Sequence, residues 1–333
     1  MRYFLRLALV LIVLCAGAVV AARAAGGLLP KPPMLSFVSN MDWRHWIDIY
    51  VLDMERGVYA NITRSPAFEQ QPAWSRDGRL AYVSNMDGEG GIYIREANDS
   101  THNIFKGYRD VDSTPLSWSM DGRLAFGARL NIYVLETNGK LHFISFHPHR
   151  RDFSPVWSPD STLAFVSELI NNQANVYLSK QNGEIVSAIP ELAQTSAPAW
   201  TVGGELTFTD GYPYGKRYLI QRNDGSIKTI LESKSGPILF PLWSPDGRLA
   251  FDTVPSAGRP QLVILEQNGD LHPLPNSDSY VDTKRAAWSL DGWFAYVSYE
   301  ADFTSMIYVM NPDGKIRRVT PTGTNSFDPS WLP

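Results

Sequence analysis

The chain has 333 residues, of which 44% are hydrophobic, 12% aromatic and 19% charged, with a formal net charge of −4. That balance suits a β-rich protein with a sizeable core, and the lack of a basic excess argues against a general nucleic-acid binder. One cysteine, Cys15, excludes an internal disulfide or a thiolate cluster.

Met1 to Arg6 is short and basic, and Leu7 to Ala22 is a run of sixteen uncharged, mostly aliphatic residues. Ala22-Arg23-Ala24 fits a small-x-small cleavage site, so residues 1–25 read as a signal peptide. Sixteen residues also approach the length of a membrane span, and retention as an N-terminal membrane anchor is the alternative. Either reading places the rest outside the cytoplasm, periplasmic or extracellular, with membrane attachment through residues 7–22 if the segment is kept. Gly26-Gly27-Leu28-Leu29-Pro30-Lys31-Pro32-Pro33 reads as a linker, because Gly and clustered Pro cannot continue a helix.

Residues 34–333 are organised by a repeat. Pro241-Leu242-Trp243-Ser244-Pro245-Asp246-Gly247-Arg248-Leu249-Ala250-Phe251 returns, edited, around Trp74, Trp118, Trp157, Trp200, Trp288 and Trp331. The seven tryptophans are separated by 44, 39, 43, 43, 45 and 43 residues. A period in this range, with strands inside it, means propeller blades. Residues before each Trp form a strand, Ser-Pro-Asp-Gly supplies turn chemistry, and Leu-Ala-Phe opens the next strand. Trp is large enough to fill the space between neighbouring sheets, where its indole N–H needs one partner. Asn138-Gly139, Asn182-Gly183 and Asn268-Gly269 mark hairpins between the last two strands of their blades.

The first unit is incomplete. Leu35–Ser39, Ile47–Leu52 and Val58–Thr63 supply three strands, and the missing one lies at the other end, in Phe327-Asp328-Pro329-Ser330-Trp331. The expected fold is therefore all-β: a seven-bladed β-propeller of four-stranded antiparallel blades, its ring closed by the C-terminal strand joining the N-terminal blade.

The Pro-x-Trp-Ser-Pro-Asp-Gly-x-Leu-Ala-Phe pattern, followed by Ile-Tyr-Val and Asn-Gly, resembles the TolB-like (WD-like) propeller repeat family over essentially all of residues 34–333. It departs from TolB in lacking room for an N-terminal α/β domain and in having seven blades rather than six. Similar repeats occur in propellers of prolyl-oligopeptidase-type peptidases and of some oligogalacturonate lyases. The resemblance implies a binding or scaffold module at the cell envelope; a metal-dependent polysaccharide lyase of the oligogalacturonate type is the alternative.

Linkers between blades, and the loops joining second and third strands, are expected on one face, opposite the Ser-x-Asp-Gly turns. That loop face collects Trp43, Arg44, His45, Arg109, His147, His149, Arg151, Tyr214 and Arg285, types that suit recognition of a protein segment or a polar or carbohydrate ligand. In Phe146-His147-Pro148-His149-Arg150-Arg151-Asp152, His147 and His149 could ligate a divalent metal, with Asp152 or His45 as third ligand. An ordinary surface loop remains the favoured reading, and no metal or other cofactor is expected. No Gly-x-Ser-x-Gly elbow, His-Glu-x-x-His or P-loop occurs, so no catalytic residues are assigned and a peptidase of the propeller-plus-hydrolase type is not expected.

Overall fold

Seven four-stranded antiparallel sheets make up the computed structural model of the chain. The structure describes residues 33–42, 46–107, 111, 115–145, 150–169, 171, 173–190, 192, 194–211, 215–234, 236–254, 261–274, 281–299 and 304–332, with backbone alone at 281–285. Each sheet opens on a strand ending at or beside a repeat tryptophan: β4 (Glu69–Trp74), β8 (Ser117–Trp118), β12 (Arg150–Trp157), β16 (Thr195–Trp200), β20 (Ile238–Trp243), β24 (Val281–Trp288) and β28 (Ser326–Trp331). These seven touch one another in sequence around the whole ring, which makes them the innermost strands. The fourth strands of the sheets, such as β3 (Val58–Asn61) and β23 (Leu271–Pro273), are the most exposed.

Closure follows the sequence expectation. Strand β28 pairs with β1 (Met34–Ser39), which pairs with β2 (Asp48–Asp53) and then β3. Trp331 lies opposite Leu35 and Ser326 opposite Ser39, where the two hydroxyls are 2.8 Å apart. The start of β1 and the end of β28 meet where every other blade has its turn. In the six intact turns the residue after Trp, such as Ser75 or Ser244, donates its N–H to the residue before the next strand. Leu332 N–H donates to the Met34 carbonyl at 2.9 Å, so the split blade keeps the turn's closing hydrogen bond.

The core is divided among the blade interfaces. Seven hydrophobic clusters each combine residues of two neighbouring blades, as Val83, Ile92 and Phe105 do with Leu124, Phe126 and Leu135. Strands covered on both faces read as nearly continuous apolar runs rather than alternating ones, and Leu80–Ser84 is buried throughout.

All seven indole N–H groups reach back to the preceding blade. Trp118, Trp157, Trp200, Trp288 and Trp331 donate to the carbonyls of Ala73, Ser117, Val156, Leu242 and Ala287 at 2.9–3.2 Å. Each acceptor immediately precedes a repeat tryptophan. In those five acceptor blades the residue paired across from the carbonyl is alanine: Ala81, Ala125, Ala164, Ala250 and Ala295. In the other two it is Ser36 or Thr207, and the hydroxyl stands between donor and acceptor. Trp74 donates to Ser36 Oγ (2.8 Å), which donates to the Ser330 carbonyl (2.9 Å). Trp243 donates to Thr207 Oγ1 (3.0 Å), which donates to the Ala199 carbonyl (2.9 Å).

The turn sequence does more than reverse the chain. Each Ser hydroxyl of Ser75, Ser119, Ser158 and Ser244 bonds the Asp two residues on. Where Arg follows Gly, its guanidinium grips that Asp, stacks on the next blade's Trp and donates to the next turn's backbone. Arg248 lies 4.7 Å from the Trp288 ring centroid and donates to the Gly292 carbonyl at 3.0 Å. Arg79 and Arg123 repeat this on Trp118 and Trp157. At Asp77, Asp121 and Asp246 burial raises the carboxyl pKa, but the Arg and Ser contacts outweigh it and the net shift is downward. Their stabilising contribution is present above the ordinary Asp pKa and lost as pH falls through the lowered value.

Three residues before the tryptophan, Gln71, Ser154, Ala197, Phe240 and Asp328 all have φ of 48–54°. Non-glycine residues adopt this left-handed conformation at a cost. At each place the register between first and second strands shifts, a β-bulge that bends the innermost strand.

Candidate functional site on the loop face

Strand direction separates two unlike faces. All innermost strands run from the loop face toward the turn face. The turns after them share one length and one hydrogen bond. The loop-face connections differ from blade to blade, from two residues, Arg129 and Leu130, to the long linker before Ser117.

The first two blades place an apolar patch on this face. Ile47, just ahead of β2, forms a parallel bridge with Phe68, just ahead of β4. Glu69 N–H donates to the Ile47 carbonyl at 2.9 Å, zipping the two segments together. Phe68 N–H is received by Asn85 Oδ1 at 2.8 Å, which brings in the loop carrying Met86. Trp46 and Phe68 meet edge to face at 5.9 Å and remain 40% and 36% exposed, with Met86 at 38%.

Buried carboxylates support the patch from below. Asp48, 5% exposed, accepts from Thr63 Oγ1 (3.0 Å), Ser65 N–H (3.1 Å) and Asn61 Nδ2 (2.8 Å), fixing the linker that ends at Phe68. Asn61 Nδ2 also donates to Asp42 Oδ2 at 3.0 Å. Glu69 is fully buried; its Oε1 accepts from Ser65 (2.6 Å) and Ser84 (3.0 Å), and its Oε2 has no partner. Burial pushes the Glu69 pKa up, the two serine hydroxyls oppose this, and nearby Asp48 adds to the rise. A raised carboxyl pKa contributes stability below the unfolded value and loses it as pH rises through the folded one. Glu69→Gln keeps an acceptor for both serines and removes the titration. The variant is therefore expected to gain stability relative to the native chain as pH rises from about 4 to 8. Urea midpoints across that range check this; a difference independent of pH would refute it.

Of the residues singled out from the sequence, Trp43, Arg44, His45, Arg109, His147, His149 and Tyr214 lie outside the described residues. Arg285 lies in β24, its side chain likewise outside them. Arg151 is exposed in β12, its guanidinium 5.1 Å from the Phe153 ring centroid, and pairs across from Glu168. Its neighbour Arg150 is turned onto the blade, donating to Tyr177 OH at 2.7 Å, so the two arginines do not form one fork. Asp152 is 1% exposed with an unpartnered Oδ1. Among the described residues no group of three or more His, Cys, Asp or Glu could hold a metal ion.

Phe68, Met86 and Glu69 are the residues that sequence reasoning passed over. A Phe just before a strand reads as core, and nothing in the local pattern marks it as exposed.

The assembled geometry is a rigid ring presenting unlike loops with an aromatic patch at one place. No family model matches the chain. Its fold is that of solved propellers at low identity. TolB from Acinetobacter baumannii superposes with a TM-score of 0.58 and 16% identity, over 94% of this chain and 70% of that one. An oligogalacturonate lyase from Vibrio parahaemolyticus gives 0.61 and 13%, over 86% and 84%. A protein from Lactobacillus plantarum gives 0.60 and 14%, over 90% and 99%. These likenesses establish a shared fold, and function does not travel with it.

Proposed function

We propose that this propeller is an exported binding module of the cell envelope that takes a protein segment, or a polar or carbohydrate ligand, on its loop face. The observation that carries the reading is the Trp46–Phe68 pair: two large aromatics held edge to face by backbone pairing, yet left open to solvent. Aromatic and arginine side chains dominate binding energy when buried at a contact, and loops on a rigid scaffold are where such residues concentrate. Asp48 and Glu69 fix the backbone beneath the pair, so little ordering is left to be done on binding.

Trp46→Ala, Phe68→Ala and Arg151→Ala are each expected to weaken capture of the partner by more than about 1 kcal/mol. Stability should change by under about 0.5 kcal/mol for the exposed Arg151. The measurement is affinity capture by the exported protein with mass spectrometry, then titration of the captured partner against the variants. Undiminished affinity in all three, with loss on altering the turn face instead, refutes the proposal. Release of unsaturated product from oligogalacturonate would replace the binding reading with a lyase.

A further inference from the structure

The turn face carries a feature that folding does not require. The residue two after each Trp is the apex of the turn: Arg76, Met120, Pro159, Val202, Pro245 and Leu290. Turn chemistry fixes the Ser, Asp and Gly around it and leaves the apex free to be polar. Instead five consecutive blades are apolar there, and Leu290 is 72%, Val202 61% and Met120 54% exposed. Arg79, Arg123 and Arg248 each bind one turn to the next, and the innermost strands that carry all the apices contact one another around the whole ring. The outer hairpins of the same face are polar, with Asn98-Asp99, Asn138-Gly139, Asn182-Gly183, Asp224-Gly225 and Asn268-Gly269 at their tips.

The N-terminal segment joins the propeller on this face. Strand β1 begins at Met34 beside Leu332, at the cut turn, so the chain arrives at the turn face and not at the loop face. The sixteen uncharged residues 7–22 are connected to it by residues 23–33, at most about 40 Å of extended chain. From these two observations we infer that the turn face lies on a lipid bilayer, with residues 7–22 retained in the membrane and Met120, Val202 and Leu290 seated in the interface.

A short tether raises the effective concentration of the apices at the bilayer, so a shallow apolar contact suffices. Charge points to a zwitterionic surface. The turn carboxylates Asp121 and Asp246 are neutralised by Arg123 and Arg248, and the hairpins mix acids such as Asp99, Asp224 and Asp270 with bases such as Lys140 and Arg222, so no basic patch forms. The loop face then points away from the membrane, whichever ligand it takes.

The test uses the full chain in phosphatidylcholine vesicles, with Cys15→Ser as background. Leu290→Cys and Met120→Cys on the turn face, and Met86→Cys on the loop face, each carry an environment-sensitive fluorophore. Quenching by nitroxide phospholipid and screening from aqueous iodide at positions 290 and 120, with the reverse at 86, is the expected result. Thermal melting of each labelled protein confirms that the ring is intact. Equal iodide access on both faces, lipid quenching at position 86, or removal of residues 1–24 from the native chain during export, read by N-terminal sequencing, would overturn the inference.

Discussion

A chain ending at Asn325 is expected to lose its closed ring and most of its cooperative stability. The truncation removes β28, and with it the strand that covers β1 on the inner side. Trp331, 7% exposed, sits in a cluster with Leu35, Phe37, Leu52, Val297, Ile307 and Val309, and its indole donates to the Ala287 carbonyl at 2.9 Å. Losing a buried aromatic of this size costs about 3–5 kcal/mol, the expected effect of Trp331→Ala alone. The truncation also strips hydrogen-bonding partners from the β1 edge and removes Asp328, whose Oδ2 accepts the Gln71 N–H at 2.9 Å in the next blade. The sum is comparable with the roughly 5–15 kcal/mol that holds a native protein together. Urea unfolding followed by circular dichroism and tryptophan fluorescence should show a broad, early transition. A peptide of residues 325–333 added in trans should sharpen it by refilling the edge. A truncated chain within about 1 kcal/mol of the whole one would mean that the ring does not depend on its closure.

The same strand shows what the sequence made legible. Seven tryptophans at a period of about 43 residues identified the blades, and the missing first strand located the cut. Periodicity works here because each blade solves the same packing problem with the same residues. It also carried information that could be interpreted only in three dimensions. Alanine occupies the middle of Leu-Ala-Phe in most blades, while Ser36 and Thr207 stand at the corresponding places, and both are visible as departures. Their meaning depends on an indole 38 or 36 residues further along the chain, in the next blade, which no local pattern reveals. The recurring left-handed residue three before Trp was equally hidden, because its identity varies from Gln71 to Phe240 while its backbone does not.

The loop face was legible as a place and much less so as a set of contacts. Arg151 lies over the Phe153 ring at the start of β12, while its neighbour Arg150 is spent on Tyr177. Phe68 is exposed because a parallel bridge to Ile47 holds it beside Trp46, a pairing between two non-repeating segments. Non-repeating loops supply residue types without a period to align them, so their partners are decided by tertiary pairing alone.

Thr207 offers the sharpest test of the interblade bonds. Its hydroxyl is buried at the junction of three groups: it donates to the Ala199 carbonyl, accepts from the Trp243 indole, and lies 2.6 Å from Tyr218 OH. Its single proton is committed to the carbonyl, so Tyr218 must donate. Thr207→Val preserves shape and removes the oxygen, leaving a carbonyl, an indole N–H and a phenol without their shared partner. Each stranded polar group costs about 1–3 kcal/mol, so a loss of about 3–6 kcal/mol is expected. Thr207→Ala combined with Tyr218→Phe removes more atoms, yet it recreates the alanine found in five other blades, across which Trp donates straight to the carbonyl. The double variant should therefore cost only about 1–2 kcal/mol, mainly for the lost methyl and a small cavity. Ser36→Ala, at the equivalent place in the first blade and without a tyrosine attached, should cost less still. Urea unfolding of the three variants decides the matter. If Thr207→Val proves as stable as the double variant, the hydroxyl is filling space and the indole finds its partner without it.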